Sequence, residues 1–212
     1  MKESAEARGA TLSGAEAVVE MLKAHGVEIL FGLCGDTSLP FYDALARLPH
    51  GMRHVLTRDE RSAAYMADGY ARVSGRVGVC EGPSGGGATY ILPGLAEANE
   101  SSVPVLCINT DISVSARGRY TLTELDQGAL MRPITKWNTV LNRSGEIPRA
   151  FRAAFNQMTT GRPGAAHIAL PFDVQRLGES DRHLGRCNPR PISVPPHRPR
   201  PVLHRARGRT AL

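Results

Sequence analysis

Residues 54–89 read HVLTRDERSAAYMADGYARVSGRVGVCEGPSGGGAT, and the order of patterns inside them points to one fold class. A short apolar run, His54–Thr57, passes into a helical pattern from Glu60 to Val73. Arg76–Cys80 is a second strand run, and the loop Glu81–Gly87 opens another helix, from about Ala88 to Asn99. Strand, helix and strand joined by short turns form a parallel unit, because strands running the same way need a crossover between them. The alternation continues on both sides. Upstream, Ser13 and Glu16 have capping-box spacing ahead of Val18, Val19, Met21 and Leu22, and Gly26 stops that helix. Val27–Leu33 is a buried strand, Gly35-Asp36-Thr37-Ser38 a turn and Pro40–Leu48 a helix. Downstream come a strand at Val103–Asn109, a helical piece at Glu124–Met131, a strand at Trp137–Leu141, a helix at Pro148–Thr159 and a closing strand at Ala165–Leu170. Residues 11–175 therefore read as one α/β domain, a doubly wound parallel sheet with helices on both faces.

Outside that span the pattern stops. Residues 1–10 are expected to be a flexible N-terminus. Residues 176–212 are expected to be a disordered Pro/Arg-rich tail, since Pro189, Pro191, Pro195, Pro196, Pro199 and Pro201 interrupt any helix and no apolar face recurs. The formal charge of +6 belongs to this tail: residues 1–175 carry seventeen Lys/Arg against eighteen Asp/Glu, and 176–212 carry nine Arg against Glu179 and Asp181. A basic face on the folded part is not expected, so no specific nucleic-acid partner is. No run of eighteen apolar residues and no apolar stretch behind a basic start exist, so neither a membrane span nor a signal peptide is read, and the expected location is cytoplasmic. Cys34, Cys80, Cys107 and Cys187 form no CxxC pair, and three of them are expected to act as small buried apolar residues. The seven histidines lack metal-ligand spacing, and no metal site is expected.

Two features can carry chemistry. The loop GPSGGGAT, residues 82–89, brings several backbone N–H groups and a helix N-terminus around a potential ligand. Taken alone it reads equally as a tight turn where a helix meets the sheet, and it has neither the Lys-Ser/Thr of a P-loop nor GxGxxG spacing. Glu60, in Arg58-Asp59-Glu60-Arg61, reads by itself as part of a solvated helix start. Its place at the carboxyl end of a parallel strand is also where α/β folds bind ligands.

Six segments in order, Val27–Gly35, His54–Glu60, Met66–Arg72, Ser84–Thr89, Arg132–Lys136 and Gly161–Gly164, resemble the N-terminal domain of acetolactate-synthase-like thiamine-diphosphate enzymes over about residues 11–175. The resemblance implies that Glu60 is the catalytic residue. Its counterpart hydrogen-bonds a pyrimidine ring nitrogen of thiamine diphosphate and favours the imino tautomer, which takes the proton from the thiazolium carbon. It further implies that Gly35, Asp36, Ser84, Gly85, Gly86 and Gly87 border the pyrimidine end. Asp111 and Thr123, where the family pattern has glutamines, are expected near a 2-oxo acid substrate. Only the pyrimidine end is expected to be held here. Magnesium is expected from a further domain that this chain lacks, and FAD is not expected in this chain. The implied partners are a second copy or a chain carrying the missing domains. The leading reading is the cofactor-activating fragment of a 2-oxo acid decarboxylase or carboligase, either a split subunit or a truncated or frameshifted product, and the alternative is a non-catalytic interaction or regulatory protein that retains the fold.

Overall fold

The computed structural model describes residues 12–176 and the strand Gly178–Glu179. Among the described residues, eight strands and eight α-helices follow in the order β1 (Leu12–Ser13), α1 (Gly14–Ala24), β2 (Ile29–Gly32), α2 (Leu39–Arg47), β3 (Arg53–Leu56), α3 (Glu60–Ser74), β4 (Gly78–Gly82), α4 (Gly86–Tyr90), α5 (Leu92–Glu100), β5 (Val105–Asp111), α6 (Gln127–Met131), β6 (Trp137–Val140), α7 (Ile147–Thr159), β7 (Ala166–Pro171), α8 (Phe172–Arg176) and β8 (Gly178–Glu179). Six strands form one parallel sheet in the order β3-β2-β4-β5-β7-β6. The chain runs outward from β2 to β3, then returns past β2 to β4. The order thus reverses between β2 and β4, and such a switch point opens a crevice at the carboxyl ends of the strands.

Alternating strand residues feed two cores. Leu30, Val79, Leu106, Ile108 and Ile168 pack with α1, α2 and α7 on one face, and Phe31, Cys80, Val105 and Cys107 pack with α3 and α5 on the other. The doubly wound α/β arrangement read from the sequence is the one present. α3 meets the sheet through Ala63, Ala64, Ala67 and Ala71, all buried. It lies so close that a Cβ on Gly78 would stand 2.1 Å from the Ala67 carbonyl oxygen. That tight seat fixes where the first residue of α3, Glu60, emerges.

Local chemistry agrees with the sequence at several ends. Ser13 caps α1 as a capping box, with Glu16 N–H donating to Ser13 Oγ at 3.2 Å and Ser13 N–H to Glu16 Oε2 at 2.8 Å. The single helix expected over residues 88–99 is instead two, α4 and α5, because Pro93 has no N–H for the fourth carbonyl back and its ring disfavours a continuous turn. β4 begins and ends two residues later than expected, so Glu81 and Gly82 are strand residues. β5 likewise extends to Asp111.

α8 reaches Arg176, and β8 pairs antiparallel with β1, Leu12 opposite Glu179 and Ser13 opposite Gly178. The expectations for residues 1–10 and for the rest of the tail lie outside the described residues. Cys80 and Cys107 are buried and Cys34 is exposed, while Cys187 is outside the described residues. Among the described residues, no helix is long and apolar enough to cross a membrane, and no three His, Cys, Asp or Glu side chains converge as a metal site.

Candidate active site

Asp59 and Glu60 are neighbours with opposite fates. Asp59 is the N-cap of α3: its Oδ1 accepts the Arg61 N–H at 2.8 Å, and Arg61 Nη2 donates to Oδ2 at 2.6 Å. These bonds, the guanidinium first, hold the exposed Asp59 carboxyl down to about 2. Asp59 is occupied by local structure. Glu60 is buried, at 8% exposure, and its carboxylate has no hydrogen-bond partner among the described residues. The residue is packed in place while its carboxylate oxygens stay open to whatever enters the crevice.

The space beside it is built from glycine. A Cβ on Gly82 would lie 3.3 Å from Glu60 Cγ, and one on Gly87 would lie 3.2 Å from Glu60 Oε1 and 2.5 Å from Pro83 Cδ. Asn109 Nδ2 donates to the Gly82 carbonyl at 3.1 Å and steadies the strand end. Gly85, at φ +63°, turns the chain into α4 in a conformation that favours glycine. A Cβ on Gly35 would lie 2.6 Å from Pro83, so the loops after β2 and β4 touch. An acceptor without a hydrogen-bond partner among the described residues thus stands beside a cradle where a Cβ on Gly82 or Gly87 would meet Glu60 or Pro83.

Most residues expected at the site converge. Glu60, Gly35 and Ser84–Gly87 gather at the switch point, with Asp36 exposed at the start of the turn after Gly35. Thr123 joins them: its Oγ1 is 2.7 Å from Ser84 Oγ, and its backbone sits at φ +68°, strained for a β-branched residue. Asp111 turns elsewhere. Its side chain lines an adjoining cavity of about 340 Å³ with Arg117, Glu124 and Gln127, and Arg117 Nη2 donates to its Oδ2 at 3.4 Å. Burial raises the Asp111 carboxyl, and the Ile112 N–H and Arg117 oppose that rise.

Sequence reading missed Glu81. It is fully buried on the α2 side of β4, where Ser38 Oγ donates to Oε1 at 2.5 Å and Tyr42 Oη to Oε2 at 2.7 Å. Tyr42 Oη also lies 3.1 Å from His54 Nε2. Burial pushes the Glu81 carboxyl up to about 7, with the Glu60 charge adding to the rise. Strand parity carries the signal that could have found it, since Val79 and Glu81 face the same side of a buried strand.

Residues 12–130 match the family model described as thiamine pyrophosphate enzyme, N-terminal TPP binding domain, a span that holds every expected site residue. The chain is 44% identical over 193 residues to a probable acetolactate synthase large subunit of Methanocaldococcus jannaschii, covering 91% of this chain and 32% of that protein. It is 41% identical over 165 residues to an acetolactate synthase large subunit of Lactococcus lactis, covering 78% and 28%. It is 37% identical over 203 residues to an acetolactate synthase of Mycobacterium bovis, covering 94% and 31%. The chain thus spans about a third of the length of these relatives.

Proposed function

The chain belongs to the thiamine pyrophosphate enzyme family through its N-terminal TPP binding domain, and on that basis we propose that it is the cofactor-activating part of an acetolactate synthase-like decarboxylase or carboligase of 2-oxo acids. The observation that carries this reading is Glu60, a buried residue whose accessible carboxylate has no hydrogen-bond partner among the described residues and stands beside the cradle of Gly82 and Gly87. When bound, the cofactor supplies the electron sink for decarboxylation.

The chain's own residues do the rest. Glu60 offers a carboxylate to a pyrimidine ring nitrogen and favours its protonated form. A hydrogen bond of this kind needs about 2.6–3.2 Å between heavy atoms, which a residue seated by the tight contact of α3 and β4 can keep. Gly35 and the loop Ser84–Gly87 enclose the pyrimidine edge. Thr123, and Asp111 in the adjoining cavity, stand on the side where a 2-oxo acid would approach. Asp111 is already paired with Arg117, so it presents less repulsion to a substrate carboxylate than a free aspartate.

Turnover requires the diphosphate- and magnesium-binding part from another domain or chain. Self-association is also proposed, through the outward side of α3, where Tyr65, Met66 and Val73 are exposed.

The test is calorimetry with thiamine diphosphate and magnesium, on the chain alone and mixed with the purified metal-binding domain of a related enzyme. In the mixture, Glu60→Gln should retain much of the cofactor affinity and slow proton exchange at the thiazolium carbon by about 10²–10⁴-fold. Asp59→Asn is the matched control and should leave exchange unchanged. Equal exchange in wild type and Glu60→Gln would refute the assignment.

A further inference from the structure

A continuous run of side-chain hydroxyls leads from the buried Glu81 to the loop beside Glu60. Ser38 Oγ, bonded to Glu81, lies 3.0 Å from Thr110 Oγ1. Thr110 Oγ1 lies 2.8 Å from Thr37 Oγ1, and Thr37 donates to Ser84 Oγ at 3.3 Å. Ser84 Oγ then meets Thr123 Oγ1 at 2.7 Å. Ser38 and Thr110 are fully buried, so no water competes at the inner end. The run comes around the carboxyl end of the sheet, because Glu81 and Thr110 face α2 whereas the next residue of β4, Gly82, faces Glu60.

We infer that Glu81 is a proton-holding positioning residue whose charge state sets the direction in which the hydroxyls of Ser84 and Thr123 donate at the crevice. Each hydroxyl has one hydrogen, so the state of the first link propagates. With Glu81 protonated, Oε1 donates to Ser38, Ser38 to Thr110, Thr110 to Thr37, Thr37 to Ser84 and Ser84 to Thr123. The Thr123 hydrogen is then free to point out of the loop as a donor. With Glu81 ionised, Ser38 donates inward to the carboxylate, Thr110 to Ser38 and Thr37 to Thr110. Ser84 Oγ no longer accepts from Thr37, Thr123 turns its hydrogen onto Ser84, Ser84 turns its own back onto Thr37 Oγ1, and Thr123 presents only lone pairs outward. One proton leaves Glu81 and the other changes are rotations of O–H bonds. The high proton affinity of Glu81 and the strained backbone of Thr123 agree with a run held in place for this purpose. The titratable groups around Glu81 are Cys34 and Asp36 after β2, Tyr42 on α2, His54 on β3 behind Tyr42, Glu60 on α3 and Cys107 on β5.

The inference rests on the reading that Ser84 and Thr123 border the cofactor and substrate, but its test does not. In the full chain without cofactor, glutamate carboxyl carbons labelled with carbon-13 report Glu81 directly, and Glu81→Gln identifies its signal. The Ser84 amide and Thr123 methyl shifts should follow the same midpoint, near pH 7. In Thr110→Val, Glu81 should still titrate while the Ser84 and Thr123 shifts stay flat, because the run is cut between them. Shifts that stay flat in wild type, or that move equally in Thr110→Val, would overturn the proposal. Thr110→Val decides the matter even if Glu81→Gln does not fold, and failure here is independent of the calorimetric test of Glu60.

Discussion

Gly87 stands so close to Glu60 that a Cβ placed on it would lie 3.2 Å from the carboxylate oxygen and 2.5 Å from Pro83 Cδ. Gly86, one residue earlier, has nothing within 4 Å of the same point. Gly87→Ala should therefore cost about 1–3 kcal/mol of stability by overpacking and abolish the heat of cofactor binding. Gly86→Ala should be neutral or stabilise by up to about 1 kcal/mol through helix propensity, with binding retained. Urea denaturation and calorimetry on the pair separate the two outcomes. Equal losses would show that the loop, not the cradle, is sensitive.

Stability should fall as pH rises through the Glu81 titration. The folded chain keeps a proton on Glu81 up to about pH 7, whereas the unfolded chain releases it near 4.5. The stability from this group is thus full below 4.5 and lost as pH climbs toward 7, with an upper bound of about 3 kcal/mol. Glu81→Gln removes the dependence. The difference in unfolding free energy, variant minus wild type, should grow from pH 5 to pH 8, and a constant difference would show that Glu81 is ionised in the fold at all these values.

His167 has the opposite sign. It is fully buried in β7 with neither ring nitrogen partnered among the described residues, and burial lowers it to about 3 from 6.5. The neutral ring's contribution is present above pH 6.5 and lost as pH falls toward 3, on the order of 2 kcal/mol by pH 5. His167→Leu should make the chain more resistant to acid, read as a shallower loss of unfolding free energy between pH 7 and pH 5. A loss as steep as in wild type would place the acid sensitivity elsewhere.

Tyr65, Met66 and Val73 lie along the outward side of α3, with Val73 at 86% exposure. Met66→Glu should shift the molar mass seen by light scattering toward the monomer without altering helix content. A monomeric wild type at the same concentration would count against an interface there.

Element order was legible because each signal was local. Ser13 and Glu16 define a helix start within four residues, and the strand-to-helix junction at Glu60 needs only the change of period between His54 and Val73. Glu81 was read as loop because Gly82 and Pro83 look like a turn, whereas pairing with β5, Glu81 opposite Ile108, carries the strand two residues further. Pairing of that kind depends on residues distant in sequence. The same holds for the roles of Asp111 and Thr123: the Arg117 contact is set by a long loop and the Ser84 contact by a fold back across 39 positions. That Asp59 is taken up in capping α3 while Glu60 is left without a partner among the described residues needed the capping bonds to be seen.

The pairing of Leu12–Ser13 with Gly178–Glu179 brings the two ends of the described residues side by side, and the contact is close enough that a Cβ on Gly14 would lie 2.0 Å from the Val174 carbonyl oxygen. A unit with adjoining ends behaves as a cassette: it can be set into a surface loop of a host protein, or its ends joined and new ones cut elsewhere, without stretching the sheet. The Glu60 crevice, formed at the carboxyl ends of β2, β3 and β4, would travel intact with such a graft.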